Sequence, residues 1–149
     1  MEEIPLAPNL EELYFGDKIW NKYILDSVSP LTRAEKLKTL VFSAKKINDN
    51  DITPLAKIMN LERLEFTSNL FLTEQIAWLT ANTTNINSSI LAPYKKLKNP
   101  LKIKEKTKDI LVIGKRKPFL NSHEDKVRLE KYESAFNDLV NKYRGSEWS

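Results

Sequence analysis

The chain has 149 residues, 41% of them hydrophobic and 30% charged, with a net charge of +4 and no cysteine. These values describe one ordinary globular domain rather than a disordered segment, and they exclude disulfides and thiolate metal sites. Three glycines are too few for glycine-rich phosphate loops or for an all-β barrel full of tight turns.

The first residues, MEEIPLAPNL, carry acids and prolines where a signal peptide would carry lysines and an apolar core. No apolar run approaches the roughly 18 residues that a membrane span needs. The lack of cysteine fits a reducing compartment. The expected address is cytoplasmic, with no membrane partner.

One apolar pattern then recurs along the chain. It reads Leu10-x-x-Leu13-x-Phe15, Leu37-x-x-Leu40-x-Phe42 and Leu61-x-x-Leu64-x-Phe66, with starts 27 and then 24 residues apart. Five positions after each phenylalanine comes another apolar residue, Trp20, Ile47 or Phe71. A weaker fourth unit offers Ile86, Ser89 and Leu91. Two large side chains one residue apart share a face of a strand, so strands are predicted near 10–15, 37–42 and 61–66, with a weak fourth near 86–91. Parallel neighbours need crossover connections. Tyr23 to Ala34, Ile52 to Met59 and Thr73 to Thr80 have the three- and four-residue apolar spacing of helices. Pro30 and Pro54 suit early helical positions, and Thr73 suits an N-cap.

Charge divides the rest. Residues 1–94 hold 9 basic and 12 acidic side chains, residues 95–117 hold 10 and 2, and residues 118–149 hold 5 and 6. The middle block therefore reads as a basic connector, containing a short strand at 110–113. Asn121 or Ser122, with Glu124 or Asp125 three residues on, is an N-cap signature. Leu129, Tyr132, Phe136, Leu139 and Tyr143 then repeat at intervals of 3, 4, 3 and 4, which predicts an amphipathic helix over about 122–143. Two regions follow, 1–94 and 95–149.

Residues 10 to about 92 resemble a leucine-rich-repeat array of the small bacterial type, whose skeleton is L-x-x-L-x-L-x-x-N-x-L; Asn69 holds the asparagine position of the third unit. The resemblance implies an α/β solenoid: a short right-handed superhelix with parallel strands on its concave face. The C-terminal strand and helix would seal its open end. Lys18 and Lys45 stand where the asparagine belongs, phenylalanine replaces the third leucine, and no cap precedes Leu10.

Such an array is implied to be a non-enzymatic protein-interaction module that uses its concave face. There the residues between the leucines point outward: Glu12, Tyr14 and Asp17, then Thr39, Val41 and Ser43, then Arg63, Glu65, Thr67 and Ser68. Four strands about 4.8 Å apart cover far less than the ~800 Å² per partner of a standard interface, so an unidentified protein partner would need further surface. The first strand, Leu10 to Phe15, exposes an edge that invites self-association.

The alternative is nucleic-acid or acidic-partner binding through Lys95, Lys96, Lys98, Lys102, Lys104, Lys115, Arg116 and Lys117. Clustered lysine attracts phosphate. Nucleic acid ranks second as a partner because aromatic residues for stacking are nearly absent there. No cofactor, metal or enzymatic activity is expected. His123 is the lone histidine, beside Glu124 and Asp125 at a helix start. Asp49 and Asp51 precede a helix, and Glu11 and Glu12 point to opposite strand faces. The segment Val112-Ile-Gly-Lys-Arg lacks the first glycine and the hydroxyl residue of a phosphate loop. No nucleophile, base and oxyanion donor come together.

Overall fold

The computed structural model, which describes residues 9–16, 22–83 and 85–148, places the repeated leucine–phenylalanine pairs on short parallel strands. These are β1 (Glu12–Gly16), β3 (Thr39–Ser43) and β5 (Arg63–Glu65), which form one sheet in the order β1-β3-β5. Leu13, Leu40 and Leu64 are in register across it. Leu40 and Leu64 are fully buried, whereas Leu13 on the edge strand is half-buried. The rings of Phe15, Phe42 and Phe66 continue beneath them at centroid distances of 5.2 and 5.6 Å, and Phe71 meets Phe66 edge-on at 5.4 Å.

Each strand begins two residues later than its leading leucine. The cause is a recurrent entry bond. The N–H groups of Lys38 and Thr39 both donate to the Glu11 carbonyl, and those of Glu62 and Arg63 both donate to the Lys38 carbonyl. The leading residues Leu37 and Leu61 are buried, so they anchor the entry while the strand starts beyond them. Between these strands lie β2 (Ile24–Leu25) and β4 (Lys46–Ile47), which pair in parallel as a second small sheet.

The expectation of a leucine-rich-repeat solenoid is overturned. Among the described residues the chain is a mixed α/β structure with two small parallel sheets, one antiparallel sheet and two α-helices. The helical part of each of the first two return segments is only a five-residue 3₁₀ turn, Ser29–Arg33 and Thr53–Lys57, with proline as its second residue. Only the third return is an α-helix, α1 (Thr73–Ala81). The units are therefore not equivalent and cannot build a superhelix by repetition. The fourth strand at 86–91 shrinks to a single parallel bridge, Arg63 to Asn87.

The basic block is also not a connector. It forms β6 (Tyr94–Ile103) and β7 (Lys106–Val112), an antiparallel hairpin, with β8 (Phe119–Leu120) on the far side of β7. The strand expected at 110–113 is thus the end of a longer one. The C-terminal helix α2 spans Lys126–Tyr143, later than the predicted start. Residues 122–125 form a turn ahead of it. There the Asn121 N–H donates to the Asp125 carboxylate, while the Asn121 side-chain oxygen accepts the N–H groups of His123 and Glu124. His123 is exposed in that turn.

The apolar stripe of α2 divides between two clusters. Leu129 and Tyr132 pack with Ile110, Val112 and Leu120 of the antiparallel sheet. Phe136, Leu139, Val140 and Tyr143 pack into the main core with the parallel sheets and α1. Beyond α2 the chain returns to α1: the Trp78 indole N–H donates to the Ser146 carbonyl at 2.9 Å, and the Asn82 amide donates to the Tyr143 carbonyl at 3.0 Å.

Candidate functional site

The residues expected to share an outward face of the parallel sheet do form rows, Glu12–Thr39–Arg63 and Tyr14–Val41–Glu65. Part of this face is already used by the protein itself. Val41, on the central strand, is only 9% exposed. The Glu65 carboxylate accepts the backbone N–H and the hydroxyl of Ser89. Thr67 accepts the Ala44 N–H at 2.9 Å, and the Ser68 carbonyl accepts the Gly114 N–H. Ser43 has a buried hydroxyl oxygen without a hydrogen-bond partner among the described residues. Asp17 lies outside the described residues. What remains open is Tyr14, at 55% exposure, with Glu12, Arg63 and the half-buried Thr39.

The basic residues separate into two places. Lys95, Lys96, Lys98, Lys102 and Lys104 lie on the β6–β7 hairpin, and Lys115, Arg116 and Lys117 lie in the loop that follows it. Sequence reasoning missed Lys106 and Lys108, which β7 adds to the first group. It also missed Leu101 and Ile103, both exposed on β6. The signal was present in the alternation Leu101-Lys102-Ile103-Lys104, a period of two that marks a strand.

From Lys98 to Thr107 every residue is exposed. At 3.4 Å per residue, the hairpin tip stands about 17 Å beyond the buried Ile110. Directly opposed residues share a face of an antiparallel pair. The register sets Leu101 against Lys108 and Ile103 against Lys106 on one face, and Lys102 against Thr107 on the other. Between Lys96 and Leu101 the register shifts, in a segment that includes Pro100. Such an irregularity, with proline and lysine, blunts an edge strand against pairing with other chains. The tip residues Lys104 and Glu105 both have positive φ, 52° and 67°, the geometry of a type I′ turn.

The electrostatics of this arm are one-sided. Seven lysines stand on residues 94–112 against two acids, Glu105 and Asp109. Asp109 is engaged: the Ser122 hydroxyl and backbone N–H both donate to it, at 2.6 and 2.8 Å. Those bonds, aided by the charge of Lys96, hold its carboxyl below the ordinary aspartate range. Lys108 faces Asp125 at 3.8 Å. Among the described residues, Lys95, Lys98, Lys102, Lys104 and Lys106 form no ion pair.

Comparison with family models, with curated proteins and with solved structures finds no match. Among the described residues no group of three or more His, Asp or Glu is placed to hold a metal ion. No helix among them is long and apolar enough to cross a membrane.

Proposed function

We propose that this chain is a non-enzymatic binding module that holds nucleic acid through the β6–β7 arm. The observation that carries this reading is the run from Lys98 to Thr107, exposed throughout, with its lysines free of ion pairs among the described residues. Unpaired cations on a projecting ribbon attract phosphate without first breaking internal contacts.

The distribution of charge favours a groove over a flat surface. Lysines leave the ribbon on both faces, Lys106 and Lys108 on one and Lys102 on the other, with Lys104 at the tip. A duplex groove presents phosphates on both walls, and a two-stranded ribbon fits a major groove about 12 Å wide. Leu101 and Ile103 supply apolar contact with base edges or methyl groups. The parallel-sheet face supports a partner less well, because Val41, Glu65 and Thr67 are already engaged.

The test is binding to duplex DNA and duplex RNA across a salt series. If Lys95, Lys98, Lys102, Lys104 and Lys106 each neutralise one phosphate, log Kobs falls against log salt with a slope of about −4.5 on duplex DNA. Changing Lys102, Lys104 and Lys106 together to glutamine should reduce the slope to about −2. Negligible binding at ~50 mM salt, where phosphate contacts are strongest, would overturn the reading.

A further inference from the structure

Two of the second group of basic residues, Lys115 and Arg116, belong to a different feature, while Lys117 lies over the Tyr132 ring. A cleft of about 460 Å³ opens beside α1, lined by Asn50, Leu72, Gln75, Lys115, Arg116 and Trp148. Its size falls within the range of small-molecule pockets, roughly 300–1,000 Å³. None of its lining residues is acidic, and two are cationic.

The walls are held in place by contacts from several parts of the chain. The Gly114 N–H donates to the Ser68 carbonyl and the Lys115 N–H donates to the Phe71 carbonyl, which fixes the loop carrying Lys115 and Arg116. Gly114 has a φ of +127°, and a Cβ there would collide with Thr73 Oγ1. Asn50 and Arg116 are both left-handed, with φ of 51° and 60°. Backbone held in such sparsely populated conformations needs support from its surroundings. Gln75 is 3% exposed and bonded at both side-chain atoms: its side-chain oxygen accepts the Leu72 N–H, and its amide donates to the Asn50 carbonyl. The Trp148 ring is set by edge contacts with Trp78 at 6.4 Å and Tyr143 at 5.7 Å.

Four side chains are left facing the open space. Lys115 donates to Asn50 Oδ1 at 3.0 Å, which uses one ammonium proton and leaves its charge uncancelled. The Arg116 side chain is exposed and has no ion pair among the described residues. Leu72, 46% exposed, and the Trp148 indole offer apolar surface beside these cations. Guanidinium pairs with carboxylate through two parallel bonds, and an indole favours an aromatic ring set against it.

We propose that this cleft binds an aromatic carboxylate, with the carboxylate on Arg116 and Lys115 and the ring between Trp148 and Leu72. The same chemistry occurs in a free aromatic acid and in a peptide that ends in phenylalanine.

The experiment uses the full chain and follows the Trp148 indole N–H resonance, assigned by its loss in Trp148→Phe. Four probes are titrated: 2-naphthoate, 2-naphthamide, a tetrapeptide ending in phenylalanine with a free carboxylate, and its C-terminal amide. Saturable shifts with naphthoate, at least tenfold weaker with naphthamide and in Arg116→Gln, are the expected result. Tighter binding of the free-carboxylate tetrapeptide than of naphthoate would assign the site to chain ends, and the reverse to free acids. Equal binding of acid and amide, no effect of Arg116→Gln, or no saturation by millimolar probe would overturn the proposal. Because Arg116 is exposed, an unchanged melting temperature in Arg116→Gln verifies that the variant is folded.

Discussion

Phe15 stacks on Phe42 with ring planes only 6° apart and centroids 5.2 Å apart, across two strands that lie 27 positions apart in the sequence. Phe42 is nearly fully buried between Phe15 and Phe66. Removing its ring leaves a cavity that both neighbours border. Phe42→Ala should cost about 3–5 kcal/mol, and Leu64→Ala about 2–5 kcal/mol. Arg63→Ala, on the exposed side of the same sheet, should stay within about 0.5 kcal/mol. Urea denaturation of the three variants checks the assignment of faces, and equal losses would refute it.

Gly114 is the residue around which the loop after β7 packs onto α1. A methyl group there meets Thr73 Oγ1, and the φ of +127° is unfavourable for any side chain. Gly114→Ala should lower stability by about 1–3 kcal/mol, seen as a reduced thermal midpoint. Gly145, which has open space around its Cα position, marks the contrast. Its φ of +73° makes Gly145→Ala cost about 1 kcal/mol from backbone strain alone.

Pairing of the parallel strands was legible because Leu13, Leu40 and Leu64 keep one spacing relative to their phenylalanines. What failed was the step from spacing to solenoid. Proline at the start of a return segment is compatible with an α-helix and equally with a single 3₁₀ turn. Pro30 and Pro54 begin the latter. The hairpin was hidden for a different reason. A type I′ turn is normally announced by Asn-Gly or Asp-Gly, and here Lys104-Glu105 occupies it. The cleft residues were out of reach because Asn50, Gln75 and Trp148 come together only through α1 and the returning C-terminus.

The same turn gives a prediction. Glu105→Gly replaces a side chain held at a φ of 67° and should stabilise the hairpin by about 0.5–1 kcal/mol, after allowing for glycine's greater freedom in the unfolded chain. It also removes the arm's tip acid, so affinity for duplex DNA at low salt should rise. A variant that is less stable than the parent would refute the turn assignment.

Asp109 links β7 to the loop before α2. Its carboxyl is held below the ordinary range mainly by the Ser122 hydroxyl and N–H. A depressed carboxylate stabilises the fold at pH values above its unfolded range, about pH 4, and that contribution fades as the pH falls through the lowered value. The stability difference between the parent and Asp109→Asn should therefore be constant from pH 7 to about 5 and shrink below pH 4. Urea midpoints across that series measure it, and a gap that widened in acid would contradict the cause.

The stripe on α2 also decides how the molecule can be cut. One helix roofs two separate apolar interiors, so a chain ending before Lys126 would lose both roofs at once and present Ile110, Val112 and Leu120, together with the covered side of the main core, to water. The ribbon therefore cannot be harvested as a free-standing peptide. Grafting it onto another scaffold would require that scaffold to bring a covering helix of its own.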